Sequence, residues 1–164
     1  MKNREHLPLI GVGPLIVFPQ CFLTALGIAL SEYGCFGLGK MDILKIPFLI
    51  FGVMVIIFGV YLWFAANYKT KVDKYITQNK LATTGVYGIV RNPIYSAFWL
   101  VCVGAIFIEN NLVLFLIPLI CWAYMTVFLK KTEEKWLLNL YGREYIDYCK
   151  RVNRCIPWFS KRAQ

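Results

Sequence analysis

The sequence predicts an all-α, polytopic integral membrane protein, and three observations support this fold class. Hydrophobic residues make up 59% of the 164-residue chain and charged residues only 16%, whereas soluble domains carry about 25% charged residues. The apolar residues are concentrated in four uncharged runs, and nearly all of the basic residues lie before, between or after these runs. A chain of this length is expected to form a single domain, here over 1–164.

The four apolar runs predict four membrane helices, which we place at 7–30, 46–66, 93–108 and 112–129. The first two are long enough to cross a hydrocarbon core of about 30 Å, which takes roughly 20 helical residues. Pro14 and Pro19 lie inside the first run and are expected to kink that helix. The third run is short and gains length by beginning at Pro93, because proline is favoured in the first turn of a helix. The polar residues 109–111 predict a tight hairpin between the third and fourth helices.

The distribution of basic residues predicts the orientation in the membrane. Sixteen of the eighteen lysines and arginines lie in the N-terminal tail, in the loop 67–92 or after residue 129. These three segments share one side of the membrane if the chain crosses it four times. Excess positive charge marks the cytoplasmic side, so both termini are expected to be cytoplasmic in the cell membrane. The basic residues that give the net charge of +9 are expected to contact the anionic headgroups of the lipid bilayer. No nucleic-acid partner is therefore expected.

The cysteines and the histidine do not form a metal-binding pattern. The six cysteines include no CxxC pair, and His6 is the only histidine in the chain. Zinc sites in proteins use closely spaced cysteines and histidines, so no metal is expected.

The cytoplasmic tail predicts one further helix near 133–149. Apolar and aromatic side chains recur there every three or four residues and define one face: Trp136, Leu137, Leu140, Tyr141, Tyr145 and Tyr148. Such a face is expected to dock on the membrane surface or on the helix bundle.

Two short clusters contain the residues most suited to a binding site. Gly85 and Gly88 bracket Tyr87, so the chain can turn tightly there and bring its backbone close to a ligand. Asn92 before Pro93 is explained by helix capping alone. Glu133 and the neighbouring Glu134 are likewise explained by the dipole of the helix that they begin.

Both clusters nevertheless resemble one family. The strings LATTGVYGIVRNPIY and EEKWLLNLYGREYIDYCKRVNRCIPWF are similar to the membrane methyltransferases that include isoprenylcysteine carboxyl methyltransferases and phospholipid N-methyltransferases. The resemblance covers about 79–157. It implies an enzyme that transfers a methyl group from S-adenosyl-L-methionine by direct displacement, with a cofactor site formed by 79–95 and 130–157. The acceptor is expected to be a lipophilic small molecule, a lipid or a lipidated molecule that arrives from the bilayer.

The resemblance also implies roles for individual residues. The implied cofactor-binding residues are Asn79, Lys80, Leu81, Ala82, Tyr87, Asn92, Pro93, Ile94, Tyr95 and Glu133. Asn92 and Tyr95 are the implied catalytic residues. Arg91, Lys130 and Glu134 are the implied substrate-binding residues, and no metal is implied.

The chain departs from the family pattern at two positions. Asn92 stands where the pattern usually has histidine, and an amide cannot titrate near neutral pH, so a histidine base at this position is excluded. Leu129 stands where the isoprenylcysteine enzymes have an arginine that contacts the substrate carboxylate. The sequence therefore leaves the accepting group open between a carboxylate, a thiol and an amine, and it leaves the oligomeric state open as well.

Two alternative functions are compatible with a similar architecture. A membrane reductase of the sterol-reductase type has a comparable helix start but binds a nicotinamide cofactor. A non-catalytic membrane scaffold is the other alternative, and the two departures from the family pattern are compatible with it.

Overall fold

The computed structural model describes residues 12–70, 75, 78 and 80–157. Within these residues the regular structure is helical, which confirms the predicted all-α class. The α-helices, numbered in chain order, are α1 (Gly13–Glu32), α2 (Lys45–Phe64), α3 (Pro93–Glu109), α4 (Leu116–Lys131), α5 (Glu133–Tyr141) and α6 (Arg143–Arg151).

Three helical stretches are long and apolar enough to cross a membrane, namely Gly13–Glu32, Asp42–Lys69 and Leu112–Tyr141. Helix α3 is also apolar, but its 17 residues make it shorter. A wide helical turn, Ala65–Lys69, extends α2 beyond the predicted end at residue 66. These lengths and compositions are those of an integral membrane protein.

Helices α2 and α3 pack closely because glycines line their contact. A Cβ atom added to Gly52 would lie 2.6 Å from the carbonyl oxygen of Gly104, and one added to Gly59 would lie 2.9 Å from that of Ala97. Small residues let helix backbones approach each other in lipid, where packing and hydrogen bonds drive association. This pair forms one side of the bundle.

Helix α1 packs against α3 and α4 through one face. Its buried residues recur at helical spacing and are Ile16, Gln20, Thr24, Gly27 and Ser31. Pro14 lies in the first turn of α1, not in its interior as predicted, and only Pro19 lies inside the helix. A proline in the first turn removes no intrahelical hydrogen bond, so Pro14 is compatible with a straight helix start. Residues 7–11 of the predicted first helix lie outside the described part of the chain.

The predicted hairpin between the third and fourth helices is confirmed. Asn110 adopts a left-handed conformation with φ of 56° and reverses the chain. The fully buried Asn111 donates to the Ser31 hydroxyl over 2.8 Å, and Ser31 donates to the Glu109 carboxylate over 2.7 Å. These hydrogen bonds tie the hairpin to the end of α1.

The predicted helix over 133–149 is divided in two, which corrects the sequence-based boundary. Gly142 has φ of 52°, a conformation outside the helical region, and it separates α5 from α6. The break lets the aromatic face of both helices follow the bundle. Trp136 packs on the core around Leu129 and Met125, and Tyr145 and Tyr148 are buried with Leu81 beside them. The aromatic face therefore docks on the bundle.

Candidate functional site

The segment that leads into α3 turns at Gly85. This glycine has φ of 61° and begins the short helical turn Gly85–Gly88, where the sequence predicted a tight turn. Val86 is buried within the turn. The backbone carbonyl of Tyr87 accepts a hydrogen bond from the Tyr148 hydroxyl over 2.6 Å. The turn is thereby fixed against α6.

The start of α3 is joined to the C-terminal tail by a row of hydrogen bonds. The amide N–H of Arg91 donates to the carbonyl of Asn153 over 2.8 Å. One helical turn later, the buried Ser96 hydroxyl donates to the carbonyl of Cys155 over 2.6 Å. These hydrogen bonds hold together two segments that are about 60 residues apart in the chain.

Asn92 takes part in this junction in an unexpected way. It occupies the N-cap position and α3 begins at Pro93, as predicted. Its side chain, however, makes no capping hydrogen bond. The side-chain amide donates instead to the carbonyl of Arg154 over 3.0 Å. The expected capping role of the Asn92 side chain is therefore wrong, and its role is to hold the tail.

Tyr95 and Glu133 are in direct contact where α3, α5 and the start of α1 meet. The Tyr95 hydroxyl donates to Oε1 of Glu133 over 2.5 Å, and the backbone N–H of Val12 donates to the same oxygen over 3.1 Å. A Cβ atom added to Gly13 would lie 3.5 Å from the Tyr95 ring, so the first residues of α1 cover this pair. The contact joins the two sequence clusters that the family resemblance singled out.

Glu134, the next residue, lies in a different environment between two arginines. Arg154 approaches it with both Nε and Nη2, at 2.6 and 3.0 Å. Arg91 lies 3.1 Å from the same carboxylate, and the side chains of Arg91 and Glu134 are only 8% and 14% exposed. We call Arg91, Glu134 and Arg154 the ion triad. The two guanidinium groups compensate the negative charge of this largely buried carboxylate.

The groups around the ion triad are neutral. Nη1 of Arg91 donates to the Tyr145 hydroxyl over 3.3 Å and also contacts the sulfur of Cys149. Burial raises the pKa of the Tyr145 phenol, and Glu134 raises it further. Burial also raises the pKa of the Cys149 thiol. Both groups therefore keep their protons near neutral pH, and the triad holds one net positive charge.

The other predicted site residues are distributed around these contacts. Leu81 packs beside Tyr145 and Tyr148, and Ala82 is buried. Tyr87 and Ile94 pack on the core formed by α2 and α3. Pro93 is buried, whereas Lys80 and Lys130 are exposed. Asn79 lies outside the described residues.

Sequence reasoning missed two residues that contact the site. Arg154 pairs with Glu134, although in the sequence it is only one of the many basic residues that follow residue 129. Val12 contributes a backbone N–H, and a backbone group has no signature in a sequence. Its position depends on the packing of α1, because Val12 belongs to the same buried core as Leu129.

The described residues of the site include groups of opposite charge and no cluster that could bind a metal ion. The described residues contain no group of three or more histidine, cysteine, aspartate or glutamate side chains that could hold a metal ion. Within the same part of the chain, no lysine or arginine forms an ion pair with Glu133. A carboxylate without a cationic partner, beside an aromatic ring, suits a positively charged ligand.

Comparison with known proteins identifies relatives of one kind. The profile of the phospholipid methyltransferase family matches residues 47–144, a range that includes Tyr95, Glu133 and Glu134. The chain is 34% identical over 87 residues to the probable protein-S-isoprenylcysteine O-methyltransferase of Oryza sativa subsp. indica, covering 52% of this chain and 45% of that protein. It is 32% identical over 83 residues to protein-S-isoprenylcysteine O-methyltransferase B of Arabidopsis thaliana, covering 50% and 42% respectively.

A longer match is to the protein-S-isoprenylcysteine O-methyltransferase of Mus musculus, at 30% identity over 120 residues, covering 66% of this chain and 41% of that protein. The chain spans less than half the length of these curated relatives. No solved structure matches the chain significantly.

Proposed function

The chain belongs to the phospholipid methyltransferase family, and on that premise we propose that it transfers a methyl group from S-adenosyl-L-methionine to a lipophilic acceptor in the membrane. The observation that carries this proposal is the contact between Tyr95 and Glu133. It brings together the two sequence blocks that resemble the membrane methyltransferases, at a place where membrane helices end.

The residues present fit the cofactor in one specific respect. The Glu133 carboxylate is partly buried and has no cationic partner among the described residues. Partial burial of an anion is unfavourable unless hydrogen bonds or a cation compensate it. Its partners in this structure are neutral donors, so a cationic ligand would complete its environment. Glu133 is accordingly proposed to bind the amino group or the ribose hydroxyls of the cofactor.

The remaining residues of the proposed pocket come from the segment before α3. The backbone around Lys80, Leu81 and Ala82, together with Asn79, is proposed to hold the adenosine portion of the cofactor. Tyr87 and the start of α3 from Asn92 to Tyr95 would line the same pocket.

The chemistry requires positioning more than acid–base catalysis. When bound, S-adenosyl-L-methionine supplies a methyl group on a sulfonium, which an acceptor nucleophile can displace directly. Holding two reactants close and aligned supplies much of the rate of such a reaction. The Tyr95 ring would stabilise a cation at its face by about 0.5–2 kcal/mol. Asn92 has no titrating group and is proposed to shape the pocket, since its amide fixes the tail through Arg154.

The acceptor is proposed to be a lipid or a lipidated molecule that enters from the bilayer. The relatives named above are isoprenylcysteine O-methyltransferases, which supports a lipidated acceptor. Leu129, at the position where the family resemblance implies a carboxylate-binding arginine, is fully buried in the apolar core. A substrate carboxylate would therefore need another cationic partner. Lys130, the residue after Leu129, is proposed to bind it. A thiol or an amine acceptor remains compatible with the same pocket.

The proposed topology places this pocket at the cytoplasmic surface. It comprises four crossings with both termini inside, in the cell membrane, with α5 and α6 on the cytoplasmic side. Both the start of α3 and the end of α4 are flanked by basic residues, which supports this orientation. The soluble cofactor would then enter from the cytoplasm.

The proposed function is tested by labelling. Membranes that contain the protein are incubated with S-adenosyl-L-methionine carrying an isotopic label on its methyl group. Label is expected to enter a lipid-extractable acceptor or a generic prenyl thiol. Membranes that contain the Glu133→Ala variant are expected to show no such labelling. Equal labelling in both membranes would contradict the proposal.

A further inference from the structure

Glu133 and the ion triad are groups of opposite charge at the junction between α5 and the start of α3. Glu133 is a carboxylate with no cationic partner in the described residues, and the adjacent ion triad has a guanidinium in excess. We propose that these two groups together recognise the zwitterionic amino-acid end of the cofactor, with Glu133 binding its ammonium group and Arg91 binding its carboxylate. This inference rests on the proposed function and adds which charged group of the cofactor meets which residue.

Arg91 has unused hydrogen-bonding capacity. Its side chain is 8% exposed, and its Nε is buried without a hydrogen-bond partner in the part of the chain that the structure describes. Among the described residues, its contacts with Glu134, Tyr145 and Cys149 are all made through Nη1. Burying a charged donor without an acceptor is unfavourable. An anionic ligand would satisfy it.

Arg91 is also not needed to neutralise Glu134. Arg154 alone pairs with that carboxylate through two nitrogens at 2.6 and 3.0 Å. This two-point geometry is the strong form of an arginine–carboxylate pair. Arg154 alone therefore balances the charge of Glu134. The positive charge of Arg91 has no negative counterpart within the ion triad. Because Tyr145 and Cys149 remain protonated, neither supplies the missing negative charge.

Glu133 and the ion triad are held by residues that are close in sequence, both on α5 and at the start of α3. Glu133 and Glu134 are consecutive residues, so their carboxylates are held by the same turn of α5. Tyr95 contacts Glu133 and Arg91 contacts Glu134, and Arg91 and Tyr95 are four residues apart at the start of α3. Glu133 and the ion triad together have no net charge. A ligand with one positive and one negative group close together matches this arrangement, whereas a simple anion or a simple cation would leave one of the two unpaired.

The inference is tested by binding, not by turnover. Purified protein in detergent is titrated calorimetrically with S-adenosyl-L-methionine, with decarboxylated S-adenosylmethionine, and with the analogue in which a keto group replaces the α-amine. Each analogue removes one charge and keeps the sulfonium. Wild-type protein is expected to bind each analogue about 10- to 100-fold more weakly, the range for losing one charge-assisted hydrogen bond.

The variants assign each charge to its residue. Arg91→Gln should bind the natural and the decarboxylated ligand equally, while it still discriminates against the keto analogue. Glu133→Gln should show the reverse pattern, and Arg91→Lys should retain part of the discrimination against loss of the carboxylate. Lys135→Gln, an exposed position on α5, is the control and should behave like wild type. The temperature of unfolding of each variant shows whether it is folded.

Different binding results would contradict the further inference and the proposed function. If wild-type protein binds S-adenosyl-L-methionine but does not distinguish it from the decarboxylated form, the inference is overturned and the proposed function stands. The inference is also overturned if Arg91→Gln and Arg91→Lys both discriminate as strongly as wild type, because the carboxylate then binds elsewhere. Absence of any binding to folded wild-type protein overturns the proposed function itself.

Discussion

The hydroxyl of Tyr95 and the carboxylate of Glu133 are 2.5 Å apart, although 38 residues separate them in the chain. One lies in the first turn of α3 and the other begins α5. Their contact fixes the place where α3 meets α5.

The ring and the hydroxyl of Tyr95 are expected to contribute separately. Tyr95→Phe keeps the aromatic face and removes the hydrogen bond to Glu133, so it should weaken cofactor binding by several-fold, in line with about 1 kcal/mol for one hydrogen bond. Tyr95→Leu also removes the ring and should weaken binding further, by about 0.5–2 kcal/mol more. Calorimetric titration measures both. Equal affinity of the two variants would show that the ring does not contact the cofactor.

The hydrogen bonds between α3 and the tail are expected to hold the tail in place. Ser96→Ala removes the donor to the Cys155 carbonyl and leaves that buried group unpaired, which should cost about 1–3 kcal/mol. The tail should then be cut faster by proteases, with cleavage near Arg154. Thr70→Ala, which removes a hydroxyl outside this junction, is the control. Unchanged cleavage in Ser96→Ala would show that other contacts fix the tail.

The contact between α2 and α3 should not tolerate larger residues. In Gly104→Val the added Cβ would lie 2.6 Å from the backbone carbonyl of Gly52, and a backbone group cannot move away cheaply. The variant is expected to be poorly folded and aggregated in detergent, as measured by size-exclusion chromatography. Gly37→Ala is the matched control, because nothing lies within 4 Å of a Cβ atom there. A monodisperse Gly104→Val protein would contradict this packing.

The six cysteines provide a test of the proposed topology. Cys35 is exposed in the connection between α1 and α2, which the topology places outside the cell. A membrane-impermeant maleimide should label Cys35 in intact cells. A cysteine introduced by Gln78→Cys, at an exposed position in the opposite loop, should be labelled only after the membrane is permeabilised. The reverse pattern would invert the topology.

Cys149 should react slowly for an electrostatic reason. Burial raises the pKa of its thiol even though Arg91 is adjacent. A raised pKa leaves less thiolate at neutral pH, and the thiolate is the reactive form. Alkylation of Cys149 should therefore be slow at pH 7 and accelerate as the pH rises, whereas unfolded protein should react quickly at pH 7. Fast labelling of Cys149 in the folded protein would contradict the described burial.

The sequence was sufficient for the features that depend on local chemistry. Pro93 begins α3, Asn110 reverses the chain, and Gly85 turns it, because each residue type favours the conformation that it adopts. The resemblance to a family added the relation between Tyr95 and Glu133, which no periodicity indicates. The hydrogen bond between Tyr95 and Glu133 is seen only in the structure.

The features that the sequence did not reveal depend on long-range packing. The amide of Val12 reaches Glu133 only because α1 docks on α4. Arg154 reaches Glu134 only because the tail returns to α3. The side chain of Asn92 turns away from the expected capping position for the same reason, since the returning tail offers it a carbonyl.

The most direct test of the account is the affinity of the purified protein for S-adenosyl-L-methionine with and without the charge of Glu133. Calorimetric titration of wild-type protein should show binding, and Glu133→Gln should bind about 10- to 100-fold more weakly with an unchanged temperature of unfolding. Glu144→Gln, an exposed carboxylate on α6, should bind like wild type. Equal affinity of wild type and Glu133→Gln would show that the contact between Tyr95 and Glu133 is a structural feature and that the cofactor, if it binds, binds elsewhere.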